Sequence, residues 1–102
     1  AVSHLPHIDA YALMNTLGEL RTNQDLEVTA YSGAGLKDIT RIASGDPVMW
    51  RDICLWNQKH SLDLIDRFQK TLSELSSLIE KNDGQALEEA FAAANKYRMK
   101  VI

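Results

Sequence analysis

The sequence predicts an all-α fold, and three observations carry that prediction. Apolar residues recur at helical spacing along most of the chain, strand-like alternation is almost absent, and capping residues stand where the periodicity breaks. Ser3 reads as an N-cap, and Pro6 falls in the first turn, where its missing N–H costs little. A helix from about His4 to Leu20 follows. Leu5, Ile8, Ala12, Leu13, Leu17 and Leu20 form one stripe on it, and His4, His7, Tyr11 and Met14 an adjacent face. Leu26–Tyr31 reads either as an extended segment or as a short helix. Gly33 and Gly35 then break the chain, because two glycines this close permit positive φ and close backbone approach. Leu36–Ala43 reads as a short helix that carries Lys37 and Arg41 on one side.

Ser44-Gly45-Asp46-Pro47 marks a helix boundary: Gly45 suits the end of one helix, Asp46 the N-cap of the next, and Pro47 its first position. Helical periodicity then continues for roughly 35 residues, with Trp50, Ile53, Cys54, Leu64, Phe68, Leu72, Leu75 and Ile79 on one face. Such a helix would be roughly 50 Å long at 1.5 Å per residue, against a radius of gyration of about 13 Å for a domain of this size. The expectation is therefore one long helix that either kinks near Lys59–Ser61 or projects into a partner. Asn82-Asp83-Gly84 ends it, and Asp83 caps a last helix from about Gln85 to Lys100 with Leu87, Ala90, Phe91, Ala94 and Tyr97 on its buried face. Lys96, Arg98 and Lys100 suit the negative end of that helix.

The chain has 102 residues, 45% of them apolar and 25% charged, which describes a single domain, residues 1–102, long enough for one core. There is no room for a second lobe. A formal charge of −3, with basic residues scattered singly, argues against a nucleic-acid partner. No apolar run approaches the roughly 20 residues of a membrane span. A lone Cys54 fits a reducing, cytoplasmic setting. The chain begins at Ala1 with neither an initiator Met nor a signal-peptide pattern, so it is expected to be an excised piece of something longer.

Candidate chemistry is sparse. His4 and His7 have a spacing that metal sites use, but the remaining soft donors, His60 and Cys54, are assigned to a different helix with no flanking pattern, and no metal site is expected. Gly33-Ala34-Gly35 is half of a dinucleotide fingerprint, with Asp38 where the third glycine would stand, and reads as a tight turn. Lys37 and Arg41 beside that turn form a candidate anion site, Arg offering a bidentate fork for a carboxylate and Lys a point charge. On spacing alone a solvated face is an equal reading, with Asp38 and Asp52 pairing with Lys37, Arg41 or Arg51. Trp50 and Trp56 are expected in a core or an interface.

Taken together the blocks are more specific. Ser3-His4-Leu5-Pro6-His7 with Ala10-Tyr11-Ala12-Leu13, then Gly33-x-Gly35-x-Lys37-Asp38-Ile39-Thr40-Arg41-Ile42-Ala43, then Asp46-Pro47-x-Met49-Trp50-Arg51-Asp52-Ile53, resemble the C-terminal helical domain of the prephenate dehydrogenase family, which includes arogenate and cyclohexadienyl dehydrogenases. The resemblance runs from about Ser3 to Lys100, the last forty residues matching only as amphipathic helix. It implies an intertwined homodimer and one wall of a site for prephenate or arogenate. A separate N-terminal Rossmann domain, absent from this chain, would hold NAD or NADP and supply the catalytic histidine. No catalytic residue and no cofactor is expected on this chain itself. By the same resemblance Arg41 binds a substrate carboxylate, His7 lines the pocket near the substrate's side-chain end, and Lys37 and Asp38 stand beside the dimer-related site. Trp50 is an aromatic at its edge, and the Gly33–Gly35 turn a backbone-contact loop. Ala34, Leu36 and the Ser44-Gly45 pair depart from the family pattern, which has a middle glycine, an aromatic and Ala/Lys-Ser there.

Two rival classes are weighed against this reading. A self-sufficient helical enzyme of the chorismate mutase type fits the size but lacks an Arg-rich first helix, since Arg21 is the only arginine before Arg41. A plain helical interaction module would have no small-molecule site at all.

Overall fold

In a computed structural model the described residues are 4–24 and 41–101. They form four α-helices and one 3-10 turn, and no strand. Helix α1 spans His4–Gln24, the 3-10 turn Arg41–Ser44, α2 Pro47–Trp56, α3 Gln58–Glu80 and α4 Gly84–Met99. The all-α expectation holds. Ser3, the Leu26–Tyr31 segment and the Leu36–Thr40 part of the expected short helix lie outside the described residues, and the end of that helix, from Arg41, is a 3-10 turn.

The chain divides into two compact units, Ala1–Leu64 and Ile65–Ile102. In the first, the predicted boundary at Asp46 is built as its residue types require. The Asp46 carboxylate accepts from the Val48 N–H at 3.0 Å, its carbonyl accepts from the Trp50 N–H at 3.1 Å, and Pro47 occupies the first turn, where no donor is needed. Asp46→Ala leaves that donor without its cap. It should lower stability by about 1 kcal/mol, read as a lower urea midpoint at unchanged m-value.

The long helical run is broken as expected, at Asn57, two residues before the Lys59–Ser61 stretch read as the kink, so that α2 and α3 follow one another directly. Asn57 has φ −118° and ψ 44°, outside the helical region. Both its backbone N–H and its side-chain amide donate to the Ile53 carbonyl, at 3.2 and 2.9 Å, an instance of a short polar side chain competing with the helix ladder. Its own carbonyl starts α3 by accepting from the Ser61 N–H at 2.8 Å. The Ser61 hydroxyl, buried at 5% exposure, donates to the Cys54 carbonyl at 3.3 Å and so ties the first turn of α3 to α2.

In the second unit α3 ends in a tight reversal. Asn82 adopts a positive φ of 55°, the Asn82 N–H donates to the Ile79 carbonyl and the Asp83 N–H to the Leu78 carbonyl, the paired bonds of a Schellman motif. The Asp83 carboxylate then accepts from the Ala86 N–H at 3.0 Å and opens α4, as predicted. Lys96 and Arg98 lie in the last turn of α4, where cations suit the helix dipole.

The expectation of one conventional core fails. Among the described residues Ala10 is the only buried apolar residue, and no large side chain is fully buried. Leu72 and Ile79, read as part of one apolar face, and Phe91 and Tyr97, read as buried, are 51–70% exposed, and Trp56, expected in a core or an interface, is 80% exposed. The amphipathic pattern is present, but among the described residues these apolar side chains stay exposed. No described helix is long and apolar enough to cross a membrane.

Candidate functional site

Of the residues singled out in the sequence, His7, Arg41 and Trp50 fall within the described residues, and Gly33, Gly35, Lys37 and Asp38 lie outside them. The three that are described belong to the first unit. His7 projects from α1 onto Trp50 of α2, and the rings stack with centroids 3.8 Å apart and planes within 19°. Both side chains are half-buried. Arg41 opens the 3-10 turn, which packs against α1, the helix that carries His7. Its side chain is exposed, and its carbonyl accepts from the Ser44 hydroxyl at 2.7 Å. An aromatic stack on α1 and α2, together with an exposed guanidinium on the turn packed against α1, offers the two chemistries that a ligand with a ring and a carboxylate calls on, stacking and charge-assisted hydrogen bonds. Asp52 pairs with its neighbour Arg51 at 3.0 Å, as one of the alternatives foresaw.

Three residues around Trp50 were not assigned to the site from the sequence. His4 sits edge-on to the indole, centroids 6.2 Å apart at 89°, and edge-on to His60 of α3 at 5.8 Å and 79°. The sequence placed His60 apart from His4; the fold brings them together, although among the described residues no three of His, Cys, Asp or Glu gather as a metal would require. Both His4 ring nitrogens and the Tyr11 hydroxyl are buried without a hydrogen-bond partner. Buried polar atoms without partners are few in folded proteins, so these three mark an unusual spot. The 4, 7, 11 spacing could have flagged His4 and Tyr11, since it puts them on the face that carries His7. His60 had no local signal at all.

Gly45 fills the space beneath the indole. A Cβ there would stand 3.2 Å from the Tyr11 hydroxyl and 3.4 Å from Trp50 Nε1, closer than side chains normally pack. Gly45→Ala should therefore push the indole and the phenol outward, costing about 1 kcal/mol and changing Trp50 fluorescence in a Trp56→Phe background. Trp50 also lines an open cleft of about 300 Å³, with Tyr11, Asn15, Pro47, Arg51 and Cys54.

The first unit is thus a small helical body that carries a stacked His–Trp pair, with the turn of Arg41 packed on the helix of His7. The match to known families is then direct. Residues 1–93 match the family model described as prephenate dehydrogenase, dimerization domain, and the chain belongs to that family. It is 36% identical over 97 residues to a prephenate dehydrogenase of Bacillus subtilis, covering 95% of this chain and 26% of that protein. To a cyclohexadienyl dehydrogenase of Zymomonas mobilis it is 34% identical over 97 residues, covering 95% of this chain and 33% of the relative. Among solved structures, prephenate dehydrogenase from A. aeolicus in complex with hydroxyphenyl propionate and NAD+ superposes with a TM-score of 0.89 at 40% identity, over 100% of this chain and 35% of that one. Synechocystis arogenate dehydrogenase shares the fold, with a TM-score of 0.90 at 22% identity over 99% of this chain and 37% of that one. The chain thus spans about a quarter to a third of the length of the relatives it matches.

Proposed function

We propose that this chain is the dimerisation and substrate-binding domain of a cytoplasmic enzyme that oxidatively decarboxylates prephenate to 4-hydroxyphenylpyruvate, a step of tyrosine biosynthesis. The His7–Trp50 stack beside the Arg41 turn carries the reading, because it supplies an aromatic surface and a carboxylate anchor together. The relatives of matching sequence and fold support it. Arg41 would hold a substrate carboxylate through its fork, and His7 would hydrogen-bond the side-chain end, with Trp50 as the flat boundary. Lys37 and Asp38, with the Gly33–Gly35 turn, would complete the wall from residues outside those described. Their work is positioning and electrostatic holding.

A nicotinamide cofactor, NAD or NADP, accepts the hydride when bound. A Rossmann lobe N-terminal to this chain would hold it and provide the catalytic histidine. In the overall reaction hydride leaves the ring carbon bearing the hydroxyl and carbon dioxide departs, leaving an aromatic ring. The partner of the exposed apolar faces is a second copy of this chain, giving a homodimer. The test is an assay of the 102-residue chain and of a polypeptide carrying it with its nucleotide-binding half. The longer protein should reduce NAD+ or NADP+ with prephenate or arogenate, and the chain alone should not. Turnover of chorismate by the chain alone would overturn the reading.

A further inference from the structure

We propose that His60 is a positioning residue for the substrate wall, acting through His4 to hold the plane of Trp50 and with it the stacked imidazole of His7. The inference rests on the reading that His7 and Trp50 meet the substrate. It starts from His4, whose two ring nitrogens are buried without a hydrogen-bond partner. With no hydrogen bond to orient it, that imidazole takes its orientation from the rings against which it packs, Trp50 at 89° and His60 at 79°. The indole in turn is bounded by His7 on its face, by His4, and by the tight approach of Gly45 to its Nε1 edge. Of these contacts, His4 leads on to α3 through His60.

His60 can act as a stop because its own backbone is tied down. The next residue, Ser61, is buried and bonds to the Cys54 carbonyl of α2, one turn beyond Trp50, while the Ser61 N–H bonds to the Asn57 carbonyl. The start of α3 is thus referenced to the helix that carries the indole, and His60 closes a ring of contacts from α2 through α3 and α1 back to α2. An exposed histidine side chain thereby gains a task that its exposure would not reveal.

The chain has three histidines, so an imidazole carbon–proton NMR spectrum of the 102-residue protein resolves each of them. In the wild type the His7 ring protons should be displaced upfield by the indole face. In His60→Gln, with helix content by circular dichroism retained, that displacement should fall and the His4 resonances should move. In His60→Phe, which keeps a ring at the contact, both should stay near wild type. Unmoved His4 and His7 resonances in His60→Gln would overturn the proposal, as would His60→Phe moving them equally. Should His60→Gln lose helix content, His60→Phe decides alone, by keeping or losing the His7 displacement. In the longer protein His60→Gln should raise KM for prephenate on the order of threefold to tenfold, with kcat and KM for the nicotinamide cofactor unchanged and His60→Phe restoring it. Altered resonances with an unaltered KM would leave the tether intact and overturn the substrate reading of the wall.

Discussion

Arg41→Ala, made in the polypeptide that carries this chain with its nucleotide-binding half, should raise KM for prephenate by about 30-fold to nearly 1000-fold, roughly 2–4 kcal/mol. The guanidinium is exposed and its turn packs on α1, so its removal should leave the fold intact. What is lost is one charged partner of a carboxylate that must leave water to bind. Arg41→Lys keeps the charge and loses the fork, so it should recover only part of the affinity. The measurement is steady-state kinetics with prephenate varied at saturating cofactor, together with thermal unfolding to show that stability is unchanged. A KM equal to wild type in Arg41→Ala would remove Arg41 from the site.

Phe91→Asp should break the homodimer. Phe91 is 55% exposed on α4, where with Leu87 and Ala92 it lines an open groove of about 670 Å³. Covering such a ring contributes about 1.5–3 kcal/mol, and a carboxylate in its place adds a desolvation cost, so the loss should reach about 3 kcal/mol per site. In a two-fold interface each substitution enters twice. The dissociation constant should therefore rise by at least about 100-fold, and sedimentation at micromolar concentration should show a single chain where the wild type shows two. A Phe91→Asp variant that still sediments as a dimer would place the interface elsewhere.

What could be read in the sequence was local. Asp46 with Pro47, and Asp83 after Asn82, announce helix starts because a short acceptor side chain satisfies backbone donors two or three residues on, which requires no knowledge of the rest of the fold. The break at Asn57 is also local, and the residue type is in view. It escapes a periodicity reading because the apolar pattern runs straight through it while the side chain competes for the Ile53 carbonyl. His60 on His4 is of another kind: two histidines distant in sequence meet because the first turn of α3 lies against the start of α1, and no spacing rule reports that. The burial of the apolar faces is obscured for a third reason. Periodicity reports that a face is covered but not by which chain, so Leu72, Ile79 and Phe91 look the same in sequence whether a core or a partner receives them. Of the candidate site, His7, Trp50 and Arg41 are legible as single residues, yet the stack between the first two comes only with the fold.

The scarcity of buried apolar side chains among the described residues bears on how a paired form of this chain would live at low abundance. Folding that is completed by pairing is governed by mass action, so its stability is a property of the solution as well as of the sequence. If the proposed pairing with a second copy completes the fold, dilution would act on this domain as urea acts on an ordinary one. A cell holding few copies would hold fewer still in the folded form, and the faces carrying Leu72, Ile79 and Phe91 would set the threshold.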